Sequence, residues 1–271
     1  MRYLFALGLG ALLGPVDAQY AEQIRSGRPG IAIGTYCVGA GVVQFEQGVT
    51  SRGYDVTPGV DEPAYAVRSL STTHDIRFGV LSNFEVSALF VLQRDDFTGA
   101  DRPGSTSGLS ESQIALRYTF TEESPTLPAL AVETRLLLRA QSEAYRRPAT
   151  GVSTTLSAVK SIGEQFGAAA NLALTHGGEA LGLEATYAGV LEYNPTERLG
   201  FFVEGYGAFD AFDLNADAGL NYYLTPDVKL DASAGWQSFS GFPGDPGEES
   251  GDYFIDAGVS WRIVPERAAT D

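Results

Sequence analysis

From Val228 to Trp236 the chain alternates without a break. Val228, Leu230, Ala232, Ala234 and Trp236 are apolar, and Lys229, Asp231, Ser233 and Gly235 stand between them. A period of two means an extended strand with two chemically opposed faces. The same pattern predicts strands over 42–49, 65–80, 84–92, 111–120, 129–140 and 152–162, then over 166–175, 181–192, 199–209, 213–224, 228–238 and 252–262. Runs of about ten residues match the length of a tilted strand that crosses a bilayer. Twelve or so is an even number, as an antiparallel up-and-down sheet needs in order to close on itself.

The connections alternate as well. Short ones fall at 81–83, 163–165, 194–198 and 225–227, with a medium one at 121–128. Longer ones, rich in Gly, Pro, Asp, Glu and Ser, fall at 50–64, 93–110, 141–151 and 239–251, while two at 176–180 and 210–212 are brief. Short turns at one end and long loops at the other match periplasmic turns and extracellular loops. A soluble antiparallel barrel would show the same alternation with its apolar face inward, so periodicity alone leaves the sign of the faces open. A small soluble barrel closes with about eight strands, and the larger number here favours apolar residues outward. Aromatics near strand ends (Tyr118, Phe120, Phe166, Tyr222, Tyr253, Trp261) stand where an interfacial girdle would lie.

The first residues add a destination. Met1-Arg2, an apolar run from Tyr3 to Leu13, and small residues at Val16 and Ala18 read as a secretory signal peptide over 1–18. Beyond it, no run approaches the roughly 18 apolar residues of a membrane helix, so a membrane-embedded chain must be a closed barrel. One cysteine, Cys37, rules out an internal disulfide framework despite export. The net charge of −16, with 34 acidic against 18 basic residues, leaves no basic footprint for nucleic acid.

Several stretches resemble the outer-membrane transporter-like family whose name ties it to the MetA pathway of phenol degradation. They are "RPG" at 28–30, "GVVQFEQG" at 41–48, "GLSESQIALRYTF" at 108–120, "NPTERLGFFVEGYGAF" at 194–209, "ADAGLNYYLTPDVKLDASAGW" at 216–236 and "DYFIDAGVSWR" at 252–262. The resemblance implies a barrel in the outer membrane of a Gram-negative bacterium, with a part in transport of hydrophobic or aromatic compounds. It brings no catalytic residues with it. The chain departs from the pattern of such barrels at its end, where Trp261-Arg262-Ile263 is followed by "VPERAATD" rather than closing on an aromatic.

The expected architecture is therefore all-β: a transmembrane antiparallel up-and-down barrel of about twelve strands over 41–263, with a short tail at 264–271. Residues 19–40 are left as a periplasmic extension, a plug in the lumen or an additional strand. The polar faces assign Arg117, Glu133, Arg135, Arg139, Glu184, Glu204, Asp213, Asn215, Asp217, Asn221 and Asp231 to the lumen. On balance this lining is acidic, which favours cations and neutral molecules over anions.

Other chemistry is less well supported. The run Asp213 to Leu224 begins like a calcium loop, yet has Ala218 where glycine and Leu224 where glutamate are required. His74 and His176 lack a nucleophile elbow around any serine, so a lipid-hydrolase barrel is the least favoured reading. The chain is expected to be no enzyme and to need no cofactor or metal. Its expected partners are outer-membrane lipids, the barrel assembly machinery and a small-molecule solute. The leading reading is passage of a small solute through a narrow barrel; the alternative is a non-conducting structural or binding barrel.

Overall fold

The computed structural model describes residues 21–57, 64–99, 104–178, 182–209, 215–237 and 248–265. The signal-peptide reading at 1–18 and most of the tail at 264–271 lie outside the described residues. Twelve strands follow in chain order: β1 (Val43–Thr57), β2 (Tyr65–Leu81), β3 (Phe84–Thr98), β4 (Gly104–Thr121), β5 (Ala129–Leu137) and β6 (Gly151–Ile162). The second half is β7 (Phe166–His176), β8 (Leu183–Thr196), β9 (Leu199–Ala208), β10 (Asn215–Thr225), β11 (Val228–Gln237) and β12 (Glu248–Ile263). Each pairs antiparallel with its chain neighbours, and β1 pairs with β12, so the sheet closes into a barrel. Closure leaves no unpaired strand edge. No helix among the described residues is long and apolar enough to cross a membrane.

The sign of the faces follows from burial. On β11, Leu230 and Trp236 are 38 % and 57 % exposed, whereas Lys229, Asp231 and Ser233 are 2 %, 4 % and 5 % exposed. Burying charge while exposing leucine and tryptophan is the reverse of a soluble core. It is the solution for a cylinder whose outside meets hydrocarbon and whose inside is polar. Phe78, Phe90, Leu116, Leu156, Leu174, Leu191 and Val203 continue the exposed apolar belt around the wall. The aromatic stacks Phe45–Trp261 and Phe166–Tyr193 sit near the short-turn end, with ring centroids 5.1 and 4.9 Å apart.

The belt makes an outward charge costly. Leu172, in the middle of β7 and 54 % exposed, stands between Leu156 of β6 and Tyr187 of β8. Leu172→Arg is expected to lower folding stability by about 2–4 kcal/mol, the cost of a lipid-facing arginine near the midplane. Urea titration of the barrel in lipid vesicles, followed by tryptophan fluorescence, would measure it.

The turns at 82–83, 122–128, 163–165, 197–198 and 226–227 gather at one end, together with the start of β1 and the end of β12. The other end is reached by β1, β3, β4 and β12, which run further than alternation indicates. β1 continues to Thr57, β3 to Thr98, β4 starts at Gly104 and β12 at Glu248. Parts of the stretches expected as loops at 50–64, 93–110 and 239–251 are therefore strand. Outside the lipid the outer face of a strand meets water and need not be apolar, so stretches such as Arg94-Asp95-Asp96 and Ser105-Thr106-Ser107 carry no apolar contrast while their backbone ladders persist. In the opposite sense, β5 ends at Leu137, before the expected residue 140. There Leu138 donates its N–H to the Ser112 carbonyl, and the Gln141 side chain donates back to the Leu138 carbonyl.

Candidate functional site: the polar lumen

Two differently charged walls face each other inside the barrel. On β1 to β5 the alternation turns one charged residue inward from each strand at nearly the same height, and the signs alternate. Glu46, Arg77, Glu85, Arg117 and Glu133 form a continuous ladder, all at most 4 % exposed. Arg77 Nη1 lies 2.8 Å from Glu46 Oε1, and its Nε and Nη2 donate to Glu85 at 2.9 and 3.0 Å. Arg117 Nε donates to Glu133 Oε2 at 2.8 Å and its Nη1 lies 3.6 Å from Glu85. Arg135 closes the ladder on Glu133 and reaches Gln113 at 3.1 Å. A guanidinium that forks between two carboxylates satisfies its donors in a fixed geometry.

On β9 to β12 most of the charged inward residues are acids: Glu204, Asp217, Asp231, Asp252 and Asp256, all buried, with Lys229 and, near the short turns, Arg262 among them. Of the other lumen expectations, Asn215 of β10 is also buried; Asn171 of β7, which is not among them, is buried too. Glu184 and Asn221 are half-buried, opposite Thr175 and Asp231 respectively. Arg139 is placed otherwise: it lies beyond β5, exposed, donating to the Arg147 carbonyl, because the strand has already ended. Asp213 lies outside the described residues.

Between the walls runs the chain segment 21–42. Near the short turns, the Ile24 N–H donates to the Pro226 carbonyl at 2.7 Å. The Ile31 and Ala32 N–H groups donate to the two oxygens of Glu204, at 2.7 and 2.5 Å. Asn171 clamps Ile33, accepting from its N–H at 2.7 Å and donating to its carbonyl at 3.0 Å. On the ladder side, the Tyr36 carbonyl accepts from Arg77 and Arg117 at 3.3 and 3.2 Å, and the Val38 N–H donates to Glu85 at 2.9 Å. The Arg77 guanidinium also sits 5.4 Å from the Tyr36 ring centroid, within cation–π range. A side chain at Gly79 would run into the carbonyl of Gly39, so glycine lets the segment approach β2 backbone to backbone.

Arg28 ties the segment to the acidic wall. Its guanidinium lies 3.2 Å from Asp231 and also bonds Asp256, which Thr50 holds from the other side. A Cβ at Gly48 or at Gly258 would overlap that guanidinium, so two paired glycines of β1 and β12 form the notch that seats it. The Arg28 carbonyl accepts from Lys229 Nζ. Alternation does carry a signal for Glu46 and Arg77, which oppose Phe45, Ile76 and Phe78, although neither is among the residues assigned to the lumen above. For Arg28 no such signal exists, because its segment has no repeating pattern.

The remaining candidates are placed without chemistry. His74 points outward, stacks on Phe90 at 4.7 Å and bonds Gln47 and Thr72. His176 Nδ1 lies 2.9 Å from the Gly182 carbonyl. Among the described residues no group of three or more His, Cys, Asp and Glu could hold a metal. Burial pushes the Cys37 thiol above its ordinary value, and the negative charge of Glu85 adds to this, so it remains a neutral thiol beside Thr119.

A closed barrel with an apolar outer belt and a charged lumen defines a transmembrane β-barrel of the outer-membrane type. The chain belongs to the family described as "Putative MetA-pathway of phenol degradation", whose model matches residues 26–240. Among solved structures it is similar to the COG4313 outer membrane channel from Pseudomonas putida F1, with 12 % identity, coverage of 87 % of this chain and 99 % of that one, and a TM-score of 0.61. Weaker likenesses include the Pseudomonas putida toluene transporter TodX, with 10 % identity, coverage of 81 % and 89 %, and a TM-score of 0.45. The CymD monoaromatic hydrocarbon channel gives 10 % identity, coverage of 84 % and 90 %, and the same TM-score. No curated protein matches the chain in sequence.

Proposed function

We propose that this protein is an outer-membrane channel for small hydrophobic or aromatic solutes, reaching the outer membrane of a Gram-negative bacterium after cleavage of its signal peptide and insertion by the barrel assembly machinery. The observation that carries this reading is the polar lumen of a twelve-stranded barrel. Twelve strands lie between the eight whose side chains can fill the interior and the sixteen that open a wide water channel. The aromatic solute class rests on the family to which the chain belongs. Segment 21–42 acts as an internal plug that narrows the path and separates the acidic wall from the ladder. Passage needs no reaction, and the two histidines, far apart in chain order on β2 and β7, support none.

The plug also favours a second reading. Hydrogen bonds from residues 22–38 to β1, β2, β3, β4, β7, β9, β11 and β12 leave a well-filled lumen, as a non-conducting structural or binding barrel would have. Growth of a deletion strain on a limiting aromatic carbon source distinguishes the two. Slower growth, restored by the full chain, is expected for a channel. Unchanged growth, together with a purified protein that neither conducts in planar bilayers nor passes solute into vesicles, would leave the structural barrel.

A further inference from the structure

Nine buried side-chain polar atoms have no hydrogen-bond partner among the described residues, and five of them belong to one stretch of β10 and β11. They are both oxygens of Asp217, Oδ1 of Asn221, Oδ2 of Asp231 and Oγ of Ser233. Asp217 is the decisive member: it is only 6 % exposed, yet neither carboxylate oxygen receives a donor from the described residues. A buried carboxylate without a donor or a counter-charge loses its hydration with nothing in return. The cations nearby already have partners that do not include Asp217: Arg28 bonds Asp231 and Asp256, leaving its Nε among the unpartnered atoms, and Lys229 bonds the Arg28 carbonyl.

The surroundings of these oxygens are aromatic. Asp217 pairs with Glu204 on one side and with Gly235 on the other. The Phe254 ring of β12 lies over Gly235, and the Phe202 ring of β9 lies over Gly219, since a Cβ at either glycine would overlap the ring. Phe202 and Phe254 are inward-facing and buried, on a wall whose charged inward groups are largely acids. Orphan acceptors flanked by two phenyl rings fit a flat, positively charged group with several N–H donors. Such a group meets the carboxylate by charge-assisted bonds and the rings by cation–π contact. A bare hard metal ion fits less well, because it wants six or more oxygens converging on one point, and here Gly219 with its covering ring lies between Asp217 and Asn221. The same wall already holds one such group, the guanidinium of Arg28.

We propose that the inner wall around Asp217, Asn221, Asp231 and Ser233 is a binding site for an organic cation of the amidinium or guanidinium type. The Phe202 and Phe254 rings turn aside to admit it and then stack on it. The site concerns binding alone and holds whether or not the barrel conducts. Titrating the purified full-length protein in detergent with benzamidine by calorimetry tests it, with benzyl alcohol as the neutral analogue and calcium chloride as the metal. Saturable benzamidine binding is expected, weakened about tenfold or more by Asp217→Asn, the size of losing one charge-assisted hydrogen bond. Benzyl alcohol is expected not to bind at the same concentrations, and calcium not to compete. No binding, undiminished binding to Asp217→Asn, equal binding of benzyl alcohol, or displacement by calcium would each overturn the proposal. If Asp217→Asn loses the heat-modifiable gel mobility of a folded barrel, Phe254→Leu carries the comparison, with affinity about threefold lower expected from the lost cation–π contact and an unchanged value counting against the site.

Discussion

Arg28→Ala is expected to raise the open probability of single barrels in planar bilayers by about tenfold while leaving the barrel folded. The substitution removes the bonds to Asp231 and Asp256 that tie the N-terminal segment to the acidic wall. A hydrogen bond to a charged group contributes about 1.5–3 kcal/mol, and 1.4 kcal/mol already shifts an equilibrium tenfold. The side chain is mostly shielded, 12 % exposed against 0 % and 8 % for its partners, so solvent screening removes only part of this. Release is incomplete, because Glu204, Asn171 and Glu85 still hold the backbone at Ile31, Ala32, Ile33 and Val38. The expected record is therefore more frequent and longer openings, and a variant lacking residues 21–40 should remain in the high-conductance state. Gly48→Leu reaches the same end from the wall, by filling the notch that seats the guanidinium. Indistinguishable traces from Arg28→Ala, Gly48→Leu and the unmodified barrel would show that the segment is not what limits conductance.

How much of this was legible in the sequence depended on whether lipid imposed a contrast. Where a strand crosses hydrocarbon, as from Val228 to Trp236, one face must be apolar and the other need not be, so alternation names both the strand and its faces. All twelve strands show this over at least part of their length. Beyond the lipid the constraint lapses, which is why the ends of β1, β3, β4 and β12 read as loop although their ladders continue. The ladder was half legible: Arg117, Glu133 and Arg135 stand out by alternation, and so do Glu46 and Arg77, but which acid meets which arginine depends on the stagger between strands. Arg77 pairs in register with Ser87 and Gln44, yet its ion pairs are with Glu46 and Glu85. Least legible was segment 21–42. Its backbone groups are satisfied one at a time by side chains from distant strands, and nothing periodic in "EQIRSGRPGIAIGTYCVG" marks those partners. The glycines that make room for it, Gly48, Gly79 and Gly258, look like ordinary strand glycines until the approach of Arg28 or Gly39 is seen.

Arg77→Ala should be the most destabilising single change in the inner wall, lowering folding free energy by about 3–5 kcal/mol, the range for removing one partner of a buried ion pair. Arg77 is 2 % exposed and its guanidinium is shared between Glu46 and Glu85, so its loss takes the ion-pair partner from buried Glu46 and leaves buried Glu85 only Arg117 at 3.6 Å and the Val38 N–H. It also removes a donor from the Tyr36 carbonyl, so segment 21–42 should loosen along with the wall. Arg94→Ala is the control, because Arg94 and Asp96 form an ion pair with side chains 61 % and 52 % exposed. Water replaces such a partner at little cost, and no shift in the urea midpoint is expected. The sharper test is compensation. Combining Arg77→Met with Glu46→Gln and Glu85→Gln removes the positive charge and both negative ones it pairs with while keeping volume, and should recover most of the lost stability. Recovery would show that the ladder matters as a balanced set, each charge tolerated only because its neighbour is present. If the triple variant stayed as unstable as Arg77→Ala, the fork geometry of Arg77 itself, and its hold on Tyr36, would be the stabilising element.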